Sequence, residues 1–246
     1  MSDEQTEYQL RDRLSFMRFL GLGLEDAVPD ATTLWLYREA LVRAGAVEAL
    51  FGDFDFYLRE HGFLAMGGQI IDATIVAAPR QRNSGDDNDS IKRGETPADW
   101  DDQPAKRRQK DVDARWTKKH GRTYFGYKNH ISMDHRHKLV RRYSVTDAAR
   151  HDSGEYDAVL DTANTCSKVW ADSAYRSAQT EEALAERGYK SCVHRRGARN
   201  HSLSAREQQG NASRSRVRAR VEHVFGHQPM RWTASWCAPS GWCARR

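Results

Sequence analysis

The sequence predicts an α/β fold, a mixed sheet covered by helices, preceded by a small helical segment. Three observations carry this. Short runs rich in β-branched and aromatic residues recur at 68–77, 124–134, 139–149, 167–172 and 189–194. Helical patterns separate the later ones, giving the order strand, insertion, hairpin, helix, strand, helix, strand, helix. Two of the apolar runs carry an aspartate, Asp72 within one and Asp172 at the end of another.

Residues 7–61 read as helices. Leu10, Leu14, Met17 and Leu20 fall at helical spacing; Asp30 stands where it caps a helix carrying Leu34, Tyr37 and Leu41; Val47, Leu50, Phe51, Phe54 and Leu58 mark a third. A strand follows over 68–77 and Pro79 ends it. Residues 80–122 are polar and charged with few apolar anchors, and read as a long mobile insertion. YFGYKNHISMD and LVRRYSVTDAA then form a hairpin that turns at His135-Arg136-His137. Residues 153–163 look helical and 167–172 form a buried strand. Ser177 precedes a helix with Glu181 and Glu182 in its first turn, ended by Gly188. Residues 189–194 form a short strand, 199–213 a polar loop and 214–225 the final helix. The expected division is a helical segment 1–61, a catalytic domain 62–228 with its insertion at 80–122, and an aberrant tail 229–246.

Composition narrows the class. The 246 residues are 39% hydrophobic and 30% charged, and no apolar run approaches the roughly 20 residues of a membrane helix. The acidic, polar N-terminus is not a signal peptide. Cys166, Cys192, Cys237 and Cys243 include no C-x-x-C pair, which argues for reduced thiols in the cytoplasm. The net charge is +5 and unevenly spread: acids dominate before Gly62, while after Gly188 the basic residues face only Glu207 and Glu222. Such asymmetry points to a polyanion contacted by the second half.

The chemistry-bearing candidates are three carboxylates. Asp72 interrupts Ile70-Ile71-Asp72-Ala73-Thr74-Ile75-Val76, Asp172 closes Val169-Trp170-Ala171-Asp172, and Glu222 is a lone acid in the basic stretch 214–225. A carboxylate in a buried strand is costly unless it is paired or binds a metal. Three from separate segments suit two-metal phosphoryl transfer, in which Asp72 bridges two Mg²⁺ ions and Asp172 and Glu222 each hold one; Mn²⁺ is the expected substitute. Each alone also fits a capped turn or a salt bridge. Arg218 lies one turn before Glu222 in a continuous helix, which makes it either an ordinary ion pair or a phosphate fork. Lys128 is a second candidate phosphate contact, weighed against a solvated strand-edge lysine.

The segments GGQIIDATIVAAPRQRN, TYFGYKNHISMD, KVWADSAYRS and RVRARVEHVFG resemble, in order, the DDE transposases of bacterial insertion sequences, over most of 67–226. The resemblance implies a ribonuclease-H-like catalytic core using Mg²⁺. It implies cleavage at transposon ends, then attack of the freed 3′-hydroxyl on target DNA. Asp72, Asp172 and Glu222 become the catalytic, metal-binding triad. Double-stranded DNA, both transposon ends and target, becomes the partner. A homo-oligomer assembled on that DNA is implied, in the bacterial cytoplasm and at the nucleoid when bound. In the family's Y-x2-R-x3-E-x6-K signature Arg218 and Glu222 fit, while Ser215 replaces the tyrosine and Pro229 the lysine that is thought to position transposon-end DNA.

The tail RWTASWCAPSGWCARR has no amphipathic pattern. A set of permitted codons for Trp232 to Cys243, read one base earlier, spells MDGKLVRTIGLVR, which resembles the family's continuation. A frameshift near Gln228 is therefore expected, and the N-terminus reads as short of the family's usual leading helices. The competing readings are an inactive remnant that at most binds DNA or interferes with a full-length copy, and a hydrolytic nuclease on the same fold.

Overall fold

The computed structural model describes residues 2–119, 121–197 and 202–226. In chain order the elements are α1 (Asp3–Asp12), α2 (Leu14–Phe19), α3 (Ala31–Arg43), α4 (Val47–Glu60), β1 (Gln69–Ala77), α5 (Gly85–Lys92), α6 (Pro104–Arg108), β2 (Arg115–Lys119), β3 (Arg122–Asp134), β4 (Val140–Asp147), α7 (Tyr156–Val159), β5 (Lys168–Trp170), α8 (Ala178–Glu186), β6 (Lys190–Ser191), α9 (Ala205–Arg218) and α10 (Glu222–Gly226). No helix among the described residues is long and apolar enough to cross a membrane.

The chain divides into two compact units. Among the described residues, one contains 2–53 and 79–113; the other contains 54–78 and 114–226. The first is helical. Asp30 caps α3 as expected, its Oδ1 accepting Thr33 N at 2.7 Å, and Glu7 Oε2 accepts Ala31 N at 2.7 Å. The expected mobile insertion is in fact partly ordered. Ser84 and Asp87 form a reciprocal capping box that starts α5, and Lys106 and Lys110 lie over the ring of buried Trp100. Its last residues, Arg115–Lys119, pair with β3 in the second unit's sheet.

That sheet has the order β2-β3-β1-β5-β6, with β4 also paired to β3. β3 is long enough to pair with β2 through its first residues and with β4 through the rest. β1 runs antiparallel to β3 and parallel to β5, and β5 parallel to β6. This mixed sheet flanked by helices is the ribonuclease-H-like arrangement.

Alternation along the strands sorts the core into two faces. Ile71, Val169, Ala171 and Val193 point to one, where Tyr156 and Val159 of α7 and Leu184 of α8 cover them. Ile70, Ile131, Met133 and Trp170 point to the other, covered by Val217, Val221, Val224 and Phe225.

Three local expectations needed correction. Residues 153–163 supply a 3-10 turn and only the short α7. The expected loop 199–213 is largely the front of α9, started by a Ser204–Glu207 capping box. The expected final helix 214–225 is broken after Arg218, where Val221 N bonds Arg218 O at 2.9 Å. The break carries fully buried Val221 into the core beside Ile70 and Trp170, so packing overrides helical continuity.

Candidate active site

Strand alternation places Asp72 on the face of Ile70, and its Cα partner across the ladder is Ile131, also on that face. Asp172 follows β5 by two residues and keeps the parity of Trp170, whose register partner is Ile70. The neighbouring parallel strands therefore present two carboxylates on one side of the sheet. Asp172 is not a strand residue. It caps a 3-10 turn at Ser173–Tyr175, with Ser173 N donating to its Oδ1.

α9 completes the arrangement because its apolar stripe seats on the same face. Arg218 Nη2 donates to Asp72 Oδ2 at 2.7 Å, and Nη1 lies 3.9 Å from Asp172 Oδ1. The Arg218 and Asp72 side chains are 16% and 14% exposed, while Asp172 is 46% exposed and open on one side. Ala73 N donates to the other Asp72 oxygen at 2.9 Å.

Glu222 stands apart. It opens α10 and is exposed. Among the described residues no group of three or more His, Cys, Asp or Glu lies close enough to hold a metal. The structure thus brings Asp72 and Asp172 together and does not bring Glu222 to them. Because the helix breaks after Arg218, the expected sharing of one helical face by Arg218 and Glu222 does not occur.

Lys128 is placed elsewhere. It pairs with Ile75, and so faces the side of the sheet opposite Asp72. Its Nζ reaches Arg150 O at 2.6 Å and Asp152 Oδ1 at 2.9 Å.

Two histidines with no local sequence signal belong to the neighbourhood. His194 N bonds Ala171 O at 3.1 Å, continuing the β5–β6 pairing past its last ladder residue. Its Nδ1 lies 3.5 Å from Arg218 Nη1 and its Nε2 3.4 Å from Ser215 Oγ. Burial, then the adjacent Arg218, push its pKa down. A guanidinium only donates, so Nδ1 accepts and the neutral ring carries its proton on Nε2. Ser215, where the family signature has tyrosine, thereby reaches Arg218 through the His194 ring. His135 stacks on Trp170 with centroids 5.2 Å apart and meets Arg220 Nη1. Only the fold brings residues so distant in sequence together.

The donors offered by Asp72 and Asp172 are carboxylate oxygens converging on one positive group, with the guanidinium as the stand-in cation. Carboxylate oxygens of this kind suit a hard divalent ion. The family model described as a transposase DDE domain matches residues 65–235. The chain belongs to the DDE-domain transposases. A second model, described as a transposase domain (DUF772), matches residues 1–40. No solved structure matches the chain. As a transposase-family protein it is assigned to DNA transposition, in a family whose chemistry uses divalent metal ions. Pro229, Gln228 and the tail 229–246, with the expected frameshift, lie outside the described residues.

Proposed function

We propose that this chain is a Mg²⁺-dependent transposase that cleaves transposon-end DNA and joins the freed 3′-hydroxyl to target DNA. The observation that carries this is the convergence of Asp72 and Asp172, from parallel strands of a ribonuclease-H-like sheet, on one cationic position. Asp72 and Asp172 would hold the metal, and Glu222, which stands apart from them in this structure, would be the third ligand. When bound, divalent ions supply an activated water or 3′-hydroxyl and neutralise charge on the phosphate under attack.

The chain's own residues do the rest. Asp72 is held by its ladder and by Ala73 N, so Oδ2, the oxygen that meets Arg218, keeps a fixed direction. Asp172 presents a more open carboxylate from the end of β5, where a DNA strand has access. Arg218 offers a planar fork suited to a phosphate oxygen pair. A cleft of about 680 Å³ begins at Ser173, directly after Asp172, and Arg176 and Arg196 on its wall suit the DNA backbone. Assembly as a homo-oligomer on two transposon ends follows from the same reading.

The test is a strand-transfer assay on the element's own ends with Mg²⁺. Joined products that vanish in Asp172→Asn support the proposal. Joining that survives this substitution overturns the site. Cleavage without joining identifies a hydrolytic nuclease, and DNA binding without either reaction identifies an inactive remnant.

A further inference from the structure

Arg218 and a divalent ion draw on the same carboxylate oxygens. We propose that Arg218 is an exchangeable counter-cation of the Asp72–Asp172 pair. A divalent ion displaces its guanidinium from Asp72 Oδ2, and the displaced fork becomes available to a DNA phosphate. This rests on the metal-binding reading above and adds a competition that the reading does not require.

Three observations support it. The first is charge. Two carboxylates meet one guanidinium, so the pair carries more negative charge than Arg218 offsets. A divalent ion matches the pair completely, whereas Arg218 does not.

The second is the incomplete use of the fork. Of five donors, Arg218 makes one close bond, Nη2 to Asp72 at 2.7 Å. Nη1 is 3.9 Å from Asp172 and 3.5 Å from His194, and the buried Nε has no hydrogen-bond partner among the described residues. Asp72 therefore does not saturate the fork, and donors remain for a second acceptor.

The third is position. Arg218 is the last residue of α9, directly before the bend that leads to Glu222. The apolar contacts on either side of it are made by Val217 and Val221, not by Arg218.

The experiment is Mn²⁺ binding to the full chain, by calorimetry and by electron paramagnetic resonance of the free ion. The proteins are wild type, Arg218→Gln, Arg218→Lys, Asp172→Asn and the control Arg216→Gln, an exposed arginine on the same helix. Removing a positive charge from between the ligands is expected to tighten Mn²⁺ binding about tenfold or more in Arg218→Gln. Arg216→Gln, with the same change in net charge, is expected to bind as wild type does. Thermal melts provide a second reading: Mn²⁺ is expected to raise the Tm of Arg218→Gln further than that of wild type. Should Arg218→Gln fail to fold, Arg218→Lys carries the test. Its point charge cannot span both carboxylates, so tighter binding than wild type is again expected and unchanged binding overturns the proposal. Equal or weaker binding by Arg218→Gln, with wild-type binding lost in Asp172→Asn, overturns the exchange and leaves the metal site standing. No Mn²⁺ binding by any protein, or binding indifferent to Asp172→Asn, overturns both.

Discussion

Arg218 and Glu222, four residues apart, stand on different helices: Arg218 ends α9 against Asp72, while Glu222 opens α10 facing solvent. The two acids of the signature segment and the sheet are therefore in unlike settings. Asp72 is bound into the fold and Glu222 is not.

That difference predicts a dissociation between stability and activity. Among the described residues Glu222 shows no side-chain ion pair or hydrogen bond, so Glu222→Gln is expected to change stability by less than about 0.5 kcal/mol. Asp72→Ala removes the close partner of a largely buried guanidinium and is expected to cost about 1–3 kcal/mol. Both are expected to lose strand transfer. Urea unfolding alongside the joining assay checks this, and an equal loss of stability in the two variants would place Glu222 inside the fold instead.

The spacing between Asp72 and Asp172 depends on a close approach at the start of β1. Gly68 has φ +94°, and a Cβ there would sit 2.5 Å from Lys168 O and from the Trp170 ring. Asn164 locks the same point, its Oδ1 accepting Gly68 N at 3.1 Å and its Nδ2 donating to Gly68 O at 2.9 Å. Gly68→Ala is expected to destabilise by about 3 kcal/mol or more, through overpacking plus a strained backbone. Gly94→Ala, also at positive φ but with open space around it, tests the steric part, since only the backbone cost of about 1–2 kcal/mol should appear there. Similar losses in both variants would argue against a crowded β1–β5 junction.

The strands and the two aspartates were legible in the sequence because each rests on a local pattern. An acid at Asp72 among β-branched residues is informative whatever surrounds it in space; its face comes from the register with β3. The break after Arg218 was not legible. RSRVRARVEHVFG contains no proline, and its only glycine ends it; the bend goes with the burial of Val221 in the cluster of Ile70 and Trp170, which lie far off in sequence. The front of α9 had a readable signal, the Ser204–Glu207 box, which the polar composition outweighed. Lys128 shows the limit of reading a motif without its register: one residue's parity puts it across the sheet from Asp72. His194 and His135 had no local signal at all, since their neighbours are distant in sequence.

A buried charge network secures the β3–β4 hairpin. Asp134 is fully buried and accepts from His137 N at 2.6 Å, Leu139 N at 3.2 Å and Arg141 Nε at 3.1 Å. Arg141 also reaches Asp55 Oδ1 at 3.0 Å and Phe63 O at 2.6 Å. Arg141→Met keeps the volume and leaves Asp134 without its counter-charge, so it is expected to cost about 3–5 kcal/mol. The double variant Arg141→Met/Asp134→Asn is expected to recover part of that loss. Chemical denaturation of the three proteins measures it, and a single-variant loss below about 1 kcal/mol would show the network to be solvated.

Acid sensitivity is expected from His130. Its ring is fully buried on the face opposite Asp72, with Nε2 3.1 Å from Thr146 Oγ1 and Nδ1 3.4 Å from the Tyr175 hydroxyl. Thr146 Oγ1 donates to Asp147 O, so it accepts from Nε2, and the ring is satisfied in its neutral form. Burial lowers its pKa; Asp152 and Glu155 oppose that shift while Lys128 and Arg150 add to it. The folded pKa therefore lies below the unfolded value near 6.5. Above about pH 6.5 both states are neutral and the contribution is fully present. As pH falls from there through the folded pKa, the unfolded chain takes up a proton that the folded chain refuses, and stability drops by at most about 1.4 kcal/mol per pH unit. His135 and His194, also shifted down, act in the same direction, so the test is a difference. Urea midpoints at several pH values between 7.5 and 5 are expected to fall less steeply in His130→Asn than in wild type. Parallel slopes would mean that His130 is protonated equally in the folded and unfolded chains.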